Sequence, residues 1–168
     1  DIDDFWLLAA GLSMSTWILA AGGGPIYAAS CSLTPKHKKA DLIDTLRAEL
    51  EKLPQYEPIT KHYFADGMYC REVYRDADIA LVGRVHKKEH FYVIASGTVA
   101  VCTNDGVEEL ITGPRVLISK PGTKRAVVSL TPTTCLTVHR TNATTVEEAE
   151  AELVEDDPAS MYAPGNKL

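Results

Sequence analysis

Several large functional classes are excluded by what this chain of 168 residues has little of. Positive charge is in the minority, with 17 Lys and Arg against 23 Asp and Glu, a net charge of -6 and a pI near 5.3. A chain without a basic surplus has no electrostatic footprint for a phosphate backbone, so no nucleic-acid partner is expected. Cysteine is sparse and dispersed: Cys31, Cys70, Cys102 and Cys135 form no C-x-x-C pair, which excludes a zinc ribbon and a dithiol redox motif. The last three sit in apolar, strand-like runs, where a free thiol behaves as a small buried hydrophobe and points to a reducing compartment. Glycine clusters only at Gly22-Gly23-Gly24, with no Lys-Ser/Thr behind it, so the triplet reads as a hinge and not as a phosphate cradle. Ser119, Ser129 and Cys135 lack the elbow or oxyanion signature of an activated nucleophile, and no catalytic residue is expected among them.

Charge is also missing locally. From Phe5 to Ser30 there is none, and Phe5 to Ala21 is apolar on every helical face. Such a helix has to be hidden in a membrane or in a protein partner. At 17 residues the run is shorter than the roughly 20 that a bilayer requires. Acidic Asp1, Asp3 and Asp4 precede it, which argues against a secretory signal, while Lys36, Lys38 and Lys39 follow it in the polarity of a span whose C-terminal part stays cytoplasmic. The expectation is an apolar helical arm over residues 1–33, buried in an assembly through Phe5, Trp6, Leu7, Leu8, Trp17 and Ile18, with membrane association through residues 5–21 as the alternative.

What the chain does have is two periodicities. Over residues 34–58, Thr34-Pro35 opens a helix and Leu42, Ile43, Leu46, Leu50 and Leu53 recur at helical spacing from Lys38 to Leu53, an amphipathic stripe stopped by Pro54 and Pro58. Over residues 59–141 the period becomes two. Nine short runs rich in Val, Ile, Tyr and Thr are separated by turn signals such as Asp66-Gly67, Asn104-Asp105-Gly106 and Pro121-Gly122. They are Ile59 to Phe64, Met68 to Tyr74, Asp78 to Val82, Phe91 to Ala95, Thr98 to Thr103, Glu108 to Thr112, Arg115 to Ile118, Arg125 to Leu130 and Thr134 to Arg140. A mainly β chain of this spacing is an antiparallel sandwich or barrel. Residues 142–168 add a capping box, Thr145-Val146-Glu147-Glu148, that opens a short acidic helix, and then an extended tail.

The barrel segment resembles the cupin superfamily, whose double-stranded β-helix is a jelly roll, in a degenerate form. The first cupin motif is G-x5-H-x-H-x3-E-x6-G. Counting back from Gly97 puts His90 in the glutamate's place, His86 in the second histidine's and Arg84 in the first histidine's. In the second motif, G-x5-P-x-G-x2-H-x3-N, Gly113 and Pro121-Gly122 are recognisable, Arg125 takes the histidine's place and Ser129 the asparagine's. The resemblance implies a metal held by imidazoles and a carboxylate, yet two of the four places hold arginine, which repels a cation. In one straight strand His86 and His90 would share a face about 13 Å apart, too far for one ion. Glu89 and His62 are the residues that would supplement them. The expectation is therefore no cofactor, with His86 and His90 as the metal candidates.

The same segment is similar to the core of cyclic-nucleotide-binding domains, where Arg125-Ala126 matches the phosphate-binding arginine and Gly113-Pro114 lacks the family's carboxylate. Arg84 and Arg125 are the candidates for an anionic ligand. The layout of arm, amphipathic helix, barrel and tail resembles small cupin-like proteins of tailed bacteriophages. That resemblance implies a non-enzymatic assembly subunit, a homo-oligomer with protein partners in a virion or the host cytoplasm. The alternatives are a metal-dependent cupin enzyme at His86 and His90, or an anion-binding module at Arg84 and Arg125.

Overall fold

The computed structural model describes residues 37–54 and 56–156, with side chains from residue 42 onward in the first helix. The N-terminal arm with its anchors, and the tail past residue 156, lie outside the described residues. Among the described residues no helix is long and apolar enough to cross a membrane.

Nine strands form: β1 (Ile59–Ala65), β2 (Met68–Arg75), β3 (Ile79–Val82), β4 (His90–Ser96), β5 (Thr98–Thr103), β6 (Glu108–Thr112), β7 (Arg115–Ser119), β8 (Arg125–Ser129) and β9 (Thr133–Arg140). Each lies within one residue of its expected bounds, because alternation and turn residues act together to set them. They pair antiparallel in a five-stranded sheet of order β1-β2-β9-β4-β7 and a four-stranded sheet of order β3-β8-β5-β6. With β1 set aside as a hairpin extension of β2, the remaining strands pass between the sheets in the order of a jelly roll.

The amphipathic helix α1 (His37–Leu50) ends three residues earlier than expected, the chain turning through Glu51 and Lys52. Its Ile43, Leu46 and Leu50 pack on Val82, Ala100, Cys102, Ala126 and Val128, the outer face of the four-stranded sheet. This cover explains why β5 and β8 are buried on both faces. Between the sheets, Ile94, Val99, Val101, Ile111 and Val127 fill the interior with Tyr92 and Cys135. Helix α2 (Val146–Leu153) lays Ala149 and Leu153 on Tyr69 at the start of β2. Its cap is a shifted version of the expected box. The Thr145 hydroxyl accepts from Glu148 N–H at 3.3 Å, whereas the Glu148 carboxylate reaches past Thr145 to the Thr144 N–H at 2.9 Å.

Candidate metal centre

Strand β4 turns His90, Tyr92 and Ile94 to the barrel interior, and all three are buried. Its neighbour β9 turns Thr133, Cys135, Thr137 and His139 the same way. Phe91 pairs with Val138, and this register seats His90 beside His139 with ring centroids 4.2 Å apart. On the far side, β2 places Tyr69 opposite His139 and Arg71 opposite Thr137.

His86 arrives by a route that strand geometry did not foretell. Residues 83–89 do not extend β4. Apart from a single bridge between His86 and Val154, they form an irregular bend. Four backbone hydrogen bonds hold it: Gly83 N–H to Arg125 O at 2.8 Å, Lys87 N–H to Leu153 O at 2.8 Å, Glu155 N–H to Val85 O at 2.9 Å and Gly122 N–H to His86 O at 3.0 Å. The bend overturns the expected separation of His86 and His90. Their ring centroids are 4.3 Å apart, and His86 lies 4.8 Å from His139, its Nδ1 2.9 Å from His139 Nε2. Each of the three histidines thus offers a ligand atom, and these atoms lie within 4.8 Å of one another.

The environment keeps these rings neutral. Burial, reinforced by the neighbouring histidines and by Arg71 and Arg125, pulls His86 down to about 2. Burial and then the charges of His90 and Lys88 pull His139 down to about 3. His90 is lowered chiefly by burial, opposed by its hydrogen bond to Lys88 O. Neutral imidazole is the ligating form. His90 Nε2 and His139 Nδ1 are also buried with no hydrogen-bond partner, a cost that ligation through those atoms would remove. The donor set therefore fits a transition metal better than magnesium or calcium, which want oxygen.

Neither expected supplement joins the cluster. Glu89 is exposed, and His62 on β1 is bonded through Nδ1 to the Tyr69 hydroxyl at 2.7 Å. The third imidazole comes from β9, outside both quoted motifs. The alternation of Cys135, Thr137 and His139 marked it as inward, and sequence reasoning passed over it.

The two candidate arginines line the same cavity, about 120 Å³ in volume, as the three histidines. Arg84 is committed to holding α2 and the segment after it. It pairs with Glu150 at 3.4 Å and donates to Glu155 O at 3.3 Å. Arg125 on β8 lies over the Tyr92 ring at 4.4 Å and donates to Ser119 Oγ at 3.2 Å. Deeper in, Arg75 donates to Cys135 Sγ at 2.8 Å, and burial pushes the Tyr92 hydroxyl up to about 12, so it stays protonated.

No family model and no curated protein matches the chain. Solved structures do. A cupin superfamily protein from Desulfitobacterium hafniense shares 10% identity over 54% of this chain and 83% of its own, at a TM-score of 0.45. The strand order of the two sheets is that of a jelly roll. The chain has a cupin-like fold. Two other cupin-like neighbours are a double-stranded β-helix protein from Klebsiella pneumoniae, with 16% identity over 62% of this chain and 90% of its own at a TM-score of 0.46, and KdgF from Halomonas sp., with 11% over 53% and 84% at 0.46. At these identities the likeness concerns the fold alone.

Proposed function

We propose that this cupin-like barrel binds a divalent transition metal on His86, His90 and His139 and uses it to act on a small molecule held in the barrel. The observation that carries the reading is the convergence of three neutral, mostly buried imidazoles, two with orphaned nitrogens, on one cavity. When bound, such an ion supplies Lewis-acid polarisation of a substrate oxygen or activation of a water. The chain's own residues do the rest. Apolar Val73, Leu81, Val127 and Leu136 exclude water from the cavity walls. The protonated Tyr92 hydroxyl donates to Cys135 Sγ at 3.7 Å while its ring lies 4.4 Å from the Arg125 guanidinium. Tyr69 is the register partner of His139 on β2, and its hydroxyl is bonded to His62 Nδ1.

Elemental analysis of the intact chain, followed by the visible absorption of its cobalt form, tests the reading. A stoichiometric ion is expected whose cobalt spectrum disappears in His86→Ala and in His139→Ala. An unchanged spectrum in His139→Ala would place the ion elsewhere, and failure to take up any transition metal would end the proposal.

One observation favours a second reading, the assembly subunit. On the outer face of the five-stranded sheet Phe91, Val116 and Ile118 are 50%, 61% and 65% exposed, with Phe91 directly opposite Ile118 across β4 and β7. An apolar strip beside an edge strand is a surface for protein contact. Light scattering on the Val116→Thr/Ile118→Ser double variant tests it: the reading expects an oligomer that dissociates, and a wild-type monomer removes it.

A further inference from the structure

The cavity carries more positive charge than a metal site needs. Its lining holds four guanidiniums, of Arg71, Arg75, Arg84 and Arg125, and one carboxylate, that of Glu150, which Arg84 takes. Arg75 is turned to Cys135 Sγ. Arg125 is different. Its contacts are a serine hydroxyl and the face of an aromatic ring, and its Nε, like that of Arg71, Arg75 and Arg84, is buried without a hydrogen-bond partner. Arg125 is half-buried, and the Asp105 carboxylate acts on it by charge without a hydrogen bond; a guanidinium in a cavity wall is best satisfied by donating its fork to a carboxylate.

Its position relative to the histidines follows from the ladder. Ser119, which accepts from Arg125, is the register partner of His90 on β7. Tyr92, which lies under Arg125, is two residues past His90 on the same inward face and pairs with Thr137, itself opposite Arg71. One row of the barrel thus holds the imidazoles, and the next row in holds Tyr92 flanked by Arg125 and Arg71. The Arg125 guanidinium carbon lies 4.4 Å from the centre of the Tyr92 ring, and a guanidinium offers a planar fork where a lysine would offer a mobile point charge.

We infer that Arg125 is the anchor for the carboxylate of a small organic acid, which lies in the cavity between Arg125 and the three histidines. This names the substrate class of the proposed metal site and rests on that reading only for the substrate's second contact. The carboxylate anchor itself is present without the ion. A guanidinium fork takes carboxylate and phosphate alike; an organic acid is favoured because Val73, Leu81 and Val127 in the same lining suit its alkyl part.

The test uses the full chain, once stripped with chelator and once loaded with cobalt. Thermal unfolding and calorimetric titration are run with acetate and propionate as probes, inorganic phosphate as the other anion and acetamide as the neutral control. Saturable stabilisation by acetate and propionate is expected in the stripped protein. Arg125→Met should weaken it about tenfold or more while leaving the cobalt spectrum intact. Conversely, His139→Ala should lose cobalt and retain acetate. Without ligand, Arg125→Met should keep a cooperative unfolding transition, since the contacts it removes are one hydrogen bond to Ser119 and the ring contact with Tyr92. Equal acetate affinity in Arg125→Met, or a response to phosphate alone, would overturn the assignment. Should Arg125→Met fold poorly, which would assign Arg125 a structural role, the deciding measurement is on the wild type. Nuclear Overhauser contacts from labelled acetate to the Tyr92 ring support the anchor, and their absence at saturation refutes it. A failure of cobalt binding with acetate binding intact would remove the metal reading and leave the anchor standing.

Discussion

Lowering the pH should loosen the metal-free barrel before any carboxylate titrates. The perturbation is protonation of His86 and His139, whose ordinary value of 6.5 is pulled to about 2 and about 3 by burial and by neighbouring positive groups. Above about pH 6.5 the imidazoles are neutral in both folded and unfolded chains and contribute no pH dependence. Below it, the unfolded histidine takes a proton that the folded one refuses, so the unfolded state gains and stability falls as pH falls. The loss continues until the folded values are reached. Between about pH 7.5 and about pH 5.5 each fully desolvated histidine contributes a loss of about 1.4 kcal/mol, and the pair about 3 kcal/mol at most. Against a domain stability of about 5 to 15 kcal/mol that is a large fraction. Glu148 and Glu152, lowered from 4.5 by Thr144 and by Lys88 respectively, lose their contributions only below about that value. The two windows are therefore separable. Urea unfolding of chelator-treated protein across this range should show a midpoint that falls steadily below about pH 6.5, with a shallower fall in His139→Gln, the remainder coming from His86, His90 and His62, which burial also lowers. A midpoint that stays flat down to about pH 5.5, or a variant that tracks the wild type, would show that the folded imidazoles accept protons freely and that the site is wetter than its burial implies.

Three further outcomes follow from the packing. Gly97 has φ +84°, and a Cβ there would lie 2.3 Å from Pro132 O and 2.7 Å from Thr133 Oγ1; Gly97→Ala should cost about 2 kcal/mol or more in chemical denaturation, and a neutral result would mean that the β4–β5 turn is not pinned to β9. Leu46→Ala, at the centre of the contact between α1 and the sheet, should cost about 2 to 5 kcal/mol while leaving cobalt binding in the folded fraction unchanged. Arg84→Ala removes the tie to Glu150 and to Glu155 O; hydrogen exchange at Lys87 and Glu155 should speed up, and unaltered exchange there would show that backbone pairing alone holds the bend.

The strands and both helices were legible because each is written in local pattern: alternation punctuated by glycine turns, an i, i+3, i+7 stripe, a capping threonine. The covering of the four-stranded sheet was half legible, since the stripe of α1 announced a partner without saying which face. The site was legible only in part. His86 and His90 stood out, but their separation depends on the bend at residues 83–89, and what shapes that bend is pairing with residues 153–155 and with Gly122. No local preference encodes such a pairing. His139 carried its signal openly, in phase with Cys135 on β9, but reading it as a ligand requires knowing that β9 lies next to β4. The family motifs drew attention to Arg84 and Arg125, and the arginines there argued against a metal. The barrel brings an imidazole in from another strand and uses one of those arginines to brace α2.

That brace orders events in time as well as space. The chain that clamps His86 in position, Leu153 to Glu155, leaves the ribosome after every strand of the barrel has been made. A nascent barrel ending at β9 would already own His90 and His139 side by side, with His86 on an untethered loop. Only when α2 has been added and its end has zipped to Val85 and Lys87 do the three rings converge. At a synthesis rate of about 5 to 20 residues per second, this gives the emerging fold on the order of a second in which its walls stand and its mouth cannot yet grip an ion. Residues 153 to 155 thus complete a site whose other two imidazoles lie on neighbouring strands made before them.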